Sequence, residues 1–154
     1  MAEKNYVGIV DDGTREIPIK NKFGKLICNI YIRPADISIL DRYKRLTENL
    51  KEIIKPLEAV NINPDGTAAF EEEWAALKSA EDMLKKQINE VFDMDEADDI
   101  FKTRNPFSSV GGKFFCESVI EVIGDLITDA IETELEASQK RTQKYLKDIK
   151  SGDK

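Results

Sequence analysis

Residues 14–33, TREIPIKNKFGKLICNIYIR, decide the fold. Ile17 and Ile19 share one side of an extended run over 14–20. Leu26, Cys28, Ile30 and Ile32 alternate on one side of a second run over 25–33. This period of two marks a strand, because successive side chains point to opposite faces. Residues 21–24, NKFG, are turn material, so the two runs predict an antiparallel hairpin. Ile27 and Tyr31 lie on the opposite side, which predicts that this face is not fully wet. Two strands alone are marginally stable. The hairpin must therefore rest on helices or pair with another copy.

Beyond the hairpin the period changes from two to 3.6. Pro34 ends the second strand, and Asp36 is placed to cap a helix over 37–58. Ile37, Leu40, Tyr43, Leu46, Leu50, Ile53, Ile54 and Leu57 form its stripe at three- and four-residue spacing. Pro56 lies in the last turn and predicts an early close or a bend. The loop NINPDG, 61–66, leads to a third element over 68–92, with Asp65 or Thr67 as its cap. Phe70, Trp74, Leu77, Leu84, Ile88 and Val91 make its apolar face. Glu71, Glu72 and Glu73 crowd its first turn, where unpaired backbone N–H groups favour carboxylates. A short helix over 96–101 follows, started by Asp95, with Ala97, Ile100 and Phe101 as contacts. Residues 102–112, KTRNPFSSVGG, read as a connector with a flexible turn at Gly111-Gly112. The last long helix begins near Lys113, and its stripe is Phe115, Val119, Val122, Ile123, Leu126, Ala130 and Ile131. Tyr145, Leu146 and Ile149 are its only later anchors.

The predicted class is α+β: an N-terminal two-stranded antiparallel hairpin, then a mainly helical body of three long helices and one short one. Residues 1–137 read as a single domain, with the hairpin at 14–33 and the helical body at 36–137. Residues 1–13 read as a loose arm. Residues 138–154 read as a basic polar extension, partly helical and frayed at its end. The expected core includes Ile30, Leu40, Leu46, Leu50, Trp74, Leu77, Leu84, Val119, Ile123 and Leu126.

At 154 residues and 41% apolar content the chain can bury a modest core. Its formal net charge is -7. Residues 61–137 hold 6 basic and 19 acidic side chains, whereas residues 138–154 hold 6 and 2. Such an acidic middle disfavours a non-specific grip on nucleic acid, and with the basic tail behind it fits a basic protein partner or self-association through the tail. The basic cluster Arg42, Lys44 and Arg45 with Tyr43 reads as a solubilising face. No apolar run reaches the length that spans a bilayer, and no signal peptide is expected.

No catalytic set stands out. The chain has no histidine, which removes the usual neutral-pH acid–base group and the commonest metal ligand. Cys28 and Cys116 each sit among apolar residues and read as buried free thiols, with a disulfide between them the alternative, one that no small-secreted-domain logic supports. The acidic run Asp93, Asp95, Glu96, Asp98, Asp99 invites a calcium reading. A calcium loop starting at Asp93 needs Gly at its sixth position and Glu at its twelfth, and the chain has Asp98 and Arg104 there. Gly111-Gly112 lacks the lysine–hydroxyl ending of a phosphate loop. Glu117, Glu121 and Asp125 follow a helical repeat and read as a solvated face. No metal or cofactor is expected, and the chain reads as non-enzymatic.

Residues 91–126, VFDMDEADDIFKTRNPFSSVGGKFFCESVIEVIGDL, carry the most distinctive pattern. An acidic, phenylalanine-bearing segment precedes a connector with Arg104-Asn105-Pro106 and a helix over 114–126. Together with the hairpin and the helix near Asp36, this order resembles the tail assembly chaperones of long-tailed bacteriophages and prophages of Gram-positive bacteria. As motif the resemblance covers residues 91–126; as architecture it covers nearly the whole chain. The acidic Asp93-Met94-Asp95-Glu96 stands where family versions often have a glycine-rich acidic turn, and residues 108–112 are an added serine–glycine piece. The resemblance implies transient binding to a tape-measure protein, help in tail-tube assembly, and contact with the tail-tube protein. It implies work in the host bacterial cytoplasm and absence from the mature virion. A permanent structural or adaptor role in a tail is the alternative, and a carboxylate-based enzyme the remote one.

The expected partner surface comprises Phe92, Asp95, Asp98, Asp99, Ile100, Phe101, Arg104, Phe107 and Phe114. Aromatics recur there among carboxylates, in a stretch too polar and glycine-rich to be wholly core. The competing expectation docks the phenylalanines on the long helices. Weak self-association is also expected, from the open hairpin edges. Binding to nucleic acid or membrane is not.

Overall fold

In a computed structural model the chain is described over residues 6–33, 36 and 38–152; for 142–143 and 145–152 this covers the backbone alone. Pro34, Ile37 and the first five residues of the expected arm lie outside the described residues, as do the side chains of Tyr145, Leu146 and Ile149.

The hairpin forms as expected. Strand β1, Arg15–Lys20, pairs antiparallel with β2, Leu26–Ile32. Ile17 faces Ile30 and Ile19 faces Cys28, but Lys20 pairs with Leu26. Ile27 is therefore an extra residue, a bulge that breaks the alternation. Cys28, Ile30 and Ile32 keep the inner face and are buried, whereas Leu26 is turned outward and exposed. The other edge of β2 is covered. The Tyr31 N–H donates to the Glu96 carboxylate at 3.2 Å.

Helix α1 spans Ser38–Ile54 and continues as a 3-10 turn over Lys55–Ala59, with Pro56 at its start. Proline removes one donor and crowds the preceding turn, so the α-helix closes where expected. Asp36 accepts the Ser38 N–H at 3.2 Å, a capping contact. The buried stripe is Ile39, Leu46, Ile53 and Leu57, with Tyr43 and Leu50 partly buried. Leu40 is exposed, contrary to expectation. Residues 39, 46 and 53 recur every seven positions and fix the phase, and Leu40 lies about 100° away from Ile39.

Helix α2 spans Glu71–Phe92, with Glu71–Glu73 in its first turn. It starts later than position 68, and neither Asp65 nor Thr67 caps it. Instead Asp65 accepts the Thr67 N–H at 3.0 Å inside the preceding loop. Leu77, Ala80, Leu84, Ile88, Val91 and Phe92 are buried. Phe70 and Trp74 are exposed rather than core. Trp74 sits about 60° off the direction of Leu77 and stays half exposed, with its covered side lining a small hollow shared with Gly66, Asn105 and Phe107. Helix α2 runs antiparallel to α1: Arg42 Nε donates to the Val91 carbonyl at 3.1 Å and Asn49 meets Gln87 at 3.1 Å.

Asp93 ends α2 in the left-handed region, at φ 55°. The short helix α3, Ala97–Ile100, follows. Its cap is not Asp95 but Asn89 of α2, whose Oδ1 accepts the Glu96 and Ala97 N–H groups at 2.9 and 2.8 Å. The connector is more ordered than a flexible turn. Strands β3, Ser109–Val110, and β4, Lys113–Phe114, form a small hairpin. Gly111 and Gly112 have φ of 60° and 82° and make its two-residue turn, the combination that matches strand twist.

Helix α4, Phe115–Gly152, is roughly 57 Å long. Among its described side chains Cys116, Val119, Ile120, Ile123, Ile127 and Ala130 are buried. Val122 is exposed, because it lies about 100° from Ile123. Tyr43 of α1 donates to the Ile120 carbonyl at 2.9 Å. Its ring lies over Gly124, where a Cβ would meet the hydroxyl oxygen at 2.3 Å. The glycine thus permits the close crossing of α1 and α4.

Candidate interaction surface

The nine expected surface residues separate into two groups. Phe92, Ile100, Phe101 and Phe107 are buried and Phe114 is partly so. The first four are core residues, a correction to the expected patch. The reason is geometric. Phe107 packs edge-on against Phe114 with ring centroids 5.5 Å apart, and Phe101 against Phe115 at 6.1 Å. The connector folds back so that the Cys116 and Phe115 N–H groups donate to the Pro106 and Ser108 carbonyls, each at 2.8 Å. Short polar residues there close turns and do not signal exposure. Asn105 Oδ1 accepts the Phe107 N–H at 2.9 Å.

Asp95, Asp98, Asp99 and Arg104 are exposed. Arg104 lies over the Phe115 ring at 5.9 Å. Lys85 bridges Glu81 at 3.0 Å and Asp98 at 3.1 Å. Burial works against its ammonium, but its hydrogen bonds to Glu81 and Asp98 outweigh that and raise its pKa. Beside this bridge runs an open groove of about 710 Å³. Asp82, Glu90, Asp93, Asp95 and Asp98 line it with Lys85, Lys86, Asn89 and Met94.

Among the described residues Glu96 is the one buried carboxylate. Burial pushes its pKa up, the Tyr31 N–H pulls it down, and Asp99 pushes it up again; the net shift is upward. The folded chain therefore holds this proton to higher pH than the unfolded chain does. Its stabilising contribution is full below the unfolded carboxyl pKa and is lost as pH rises through the folded one. Glu96→Gln keeps an acceptor for Tyr31 and removes the titration. Its stability relative to the parent should rise as pH increases from about 4 to 7. Urea melts of both chains across that range are the check, and a pH-independent difference would refute the assignment.

Both thiols are shielded from solvent. Cys28 and Cys116 are buried and free. Burial is the main cause of a raised pKa at both, and Cys116 is pushed up to about 12. A thiol held protonated is a poor nucleophile. Among the described residues no group of His, Cys, Asp and Glu is arranged to hold a metal ion, and no helix is long and apolar enough to cross a membrane.

Several apolar side chains outside the expected patch face solvent, among them Tyr6, Val7, Ile9 and Val10 of the N-terminal arm and two clusters on the folded body. Phe70 is 68% and Trp74 47% exposed, next to Glu71, Glu72 and Glu73. Phe23 is 78% and Leu26 57% exposed at the tip of the first hairpin, among Lys20, Lys22 and Lys25. The available signal was an aromatic flanked by like charges within one turn of chain. No protein-family model, no curated protein and no solved structure compared with the chain matches it.

Proposed function

We propose that the chain is a non-enzymatic tail assembly chaperone of a long-tailed bacteriophage or prophage. In this reading it binds the tape-measure protein transiently in the host bacterial cytoplasm, hands it to the growing tail tube, and leaves before the virion is complete. The observation that carries the reading is the exposed pair Phe70 and Trp74 at the acidic start of α2. Exposed aromatics ringed by charge suit a binding patch. A long helical partner has apolar stripes that need cover before assembly. The aromatic pair would contact such a stripe, and Glu71, Glu72 and Glu73 would attract its basic flanks.

The test is a co-expression pull-down of the tape-measure protein with Phe70→Ser/Trp74→Ser. Phe70 is mostly exposed, whereas Trp74 is half covered and lines the hollow beside Phe107, so the double variant should lose some melting temperature yet remain folded under the assay conditions. Capture should fall at least tenfold, and parent capture should weaken as salt rises. Finished particles should lack the chain. Undiminished capture by the folded double variant, or stoichiometric retention in particles, would overturn the reading.

A further inference from the structure

We propose that the tip of the first hairpin is a docking knob for a second copy of this chain. It seats in that copy's acidic groove between the end of α2 and α3. The inference is independent of the tape-measure reading.

The knob is built to hold its shape. Asn21 Oδ1 accepts the Phe23 and Lys25 N–H groups at 2.9 and 3.1 Å. The Asn21 N–H donates to the Lys25 carbonyl at 2.9 Å, and the Gly24 N–H to the Asn21 carbonyl at 3.0 Å. Gly24 takes φ 79°, which the turn requires. The bulge at Ile27 turns Leu26 outward, three residues along the chain from the exposed Phe23. A rigid turn thus presents two apolar side chains to solvent at small ordering cost. Lys20, Lys22 and Lys25 surround them, all exposed, giving the tip a charge of +3. Lys22 Nζ lies 5.2 Å from the Phe23 ring centre.

The groove is the complement. Its five carboxylates and two lysines sum to -3; Arg33 pairs with Asp93 at 3.2 Å at its edge and Glu81 adds a further carboxylate on Lys85, so the groove stays net acidic, and half-buried Met94 supplies an apolar contact. Its volume of about 710 Å³ is ample for a phenylalanine with its neighbours. No residue of the tip lines the groove of its own chain. A chain of net charge -7 repels its copies, so a contact between copies needs a local basic element. The hairpin tip is such an element, and it carries two exposed apolar side chains, Phe23 and Leu26, as well. Knob and groove are different patches. Two copies can exchange both contacts in a closed pair, or the contact can repeat head to tail into a ring.

Sedimentation of the full chain at about 50 μM tests the proposal. In roughly 50 mM salt the parent should associate, and in roughly 500 mM it should dissociate, because screening weakens exposed charge pairs. Lys22→Glu/Lys25→Glu and Asp82→Lys/Asp95→Lys should each weaken association at least tenfold. All four positions are exposed, so each variant should melt like the parent. An equimolar mixture of the two variants should associate again, since each knob then meets a groove of opposite sign. Phe23→Ser should also weaken association without altering charge. A parent that stays monomeric at low salt would overturn the proposal. So would variants that associate like the parent, or a mixture that fails to recover.

Discussion

Replacing Phe107 with alanine is expected to destabilise the chain by about 3–5 kcal/mol. The ring is 1% exposed and packs edge-on against Phe114. It borders a small hollow that Gly66, Leu77 and Asn105 also line. Removing it would leave a cavity between α2, the 61–67 loop and the connector. The hollow holds almost no free space, about 10 Å³, so no slack is available to absorb the loss. Urea unfolding measures the effect, and a loss below about 1 kcal/mol would mean that the connector is not docked. The contrast is Asp98→Lys. Asp98 is exposed, and its bridge to Lys85 is a surface pair, typically worth less than about 1 kcal/mol. Two residues of the expected partner patch should thus behave in opposite ways, one as core and one as surface.

That division marks what could be read from the chain and what could not. The hairpin and the three long helices were legible because each has a long periodic pattern, and a stripe of six or more positions outweighs local accidents. Pro56 and Asp36 were legible because proline and a capping carboxylate act locally. The phase at a helix end was not. Leu40 and Trp74 are apolar residues near helix starts, where a neighbour about 100° or 60° away is the one that faces the core. The short connector was misread for a different reason. Its Ser, Asn, Pro and Gly residues satisfy their backbone within the loop, so the phenylalanines between them are free to go inward. The Val110-Gly111-Gly112-Lys113 turn was a readable hairpin signal, since two glycines supply the positive φ of a two-residue turn. The Asn89 cap of α3 was not readable. It crosses the break between two helices, and no local pattern announces it.

Gly66→Ala is expected to cost about 2–4 kcal/mol, from two contributions of the same sign. The order Asn63-Pro64-Asp65-Gly66 is that of a type I turn, and the Gly66 N–H donates to the Asn63 carbonyl at 2.9 Å. The Asn63 N–H donates to the Thr67 carbonyl at 2.8 Å, the same pairing that Asn21 and Lys25 make at the first hairpin tip. Gly66 has φ 86°, where an L side chain is strained. A Cβ there would also lie 2.6 Å from Asn105 Cγ. Asn105 cannot simply swing away, because its Oδ1 holds the Phe107 N–H and its carbonyl accepts the Ser108 N–H at 3.1 Å. The Ser109 N–H donates to the Pro64 carbonyl at 2.8 Å and ties the same loop to the connector. Alanine at 66 should therefore loosen the loop and the docked Phe107 together. Gly24→Ala separates the two contributions. Gly24 has a similar φ of 79° but nothing within 4 Å of its Cβ position, so only the backbone strain applies. Gly24→Ala should cost about 1–2 kcal/mol, the strain alone. Equal losses at the two glycines, measured by urea unfolding, would mean that the contact with Asn105 contributes nothing. A larger loss at Gly66, coupled to that of Phe107→Ala in the double variant, would place the loop and the connector in one cooperative unit.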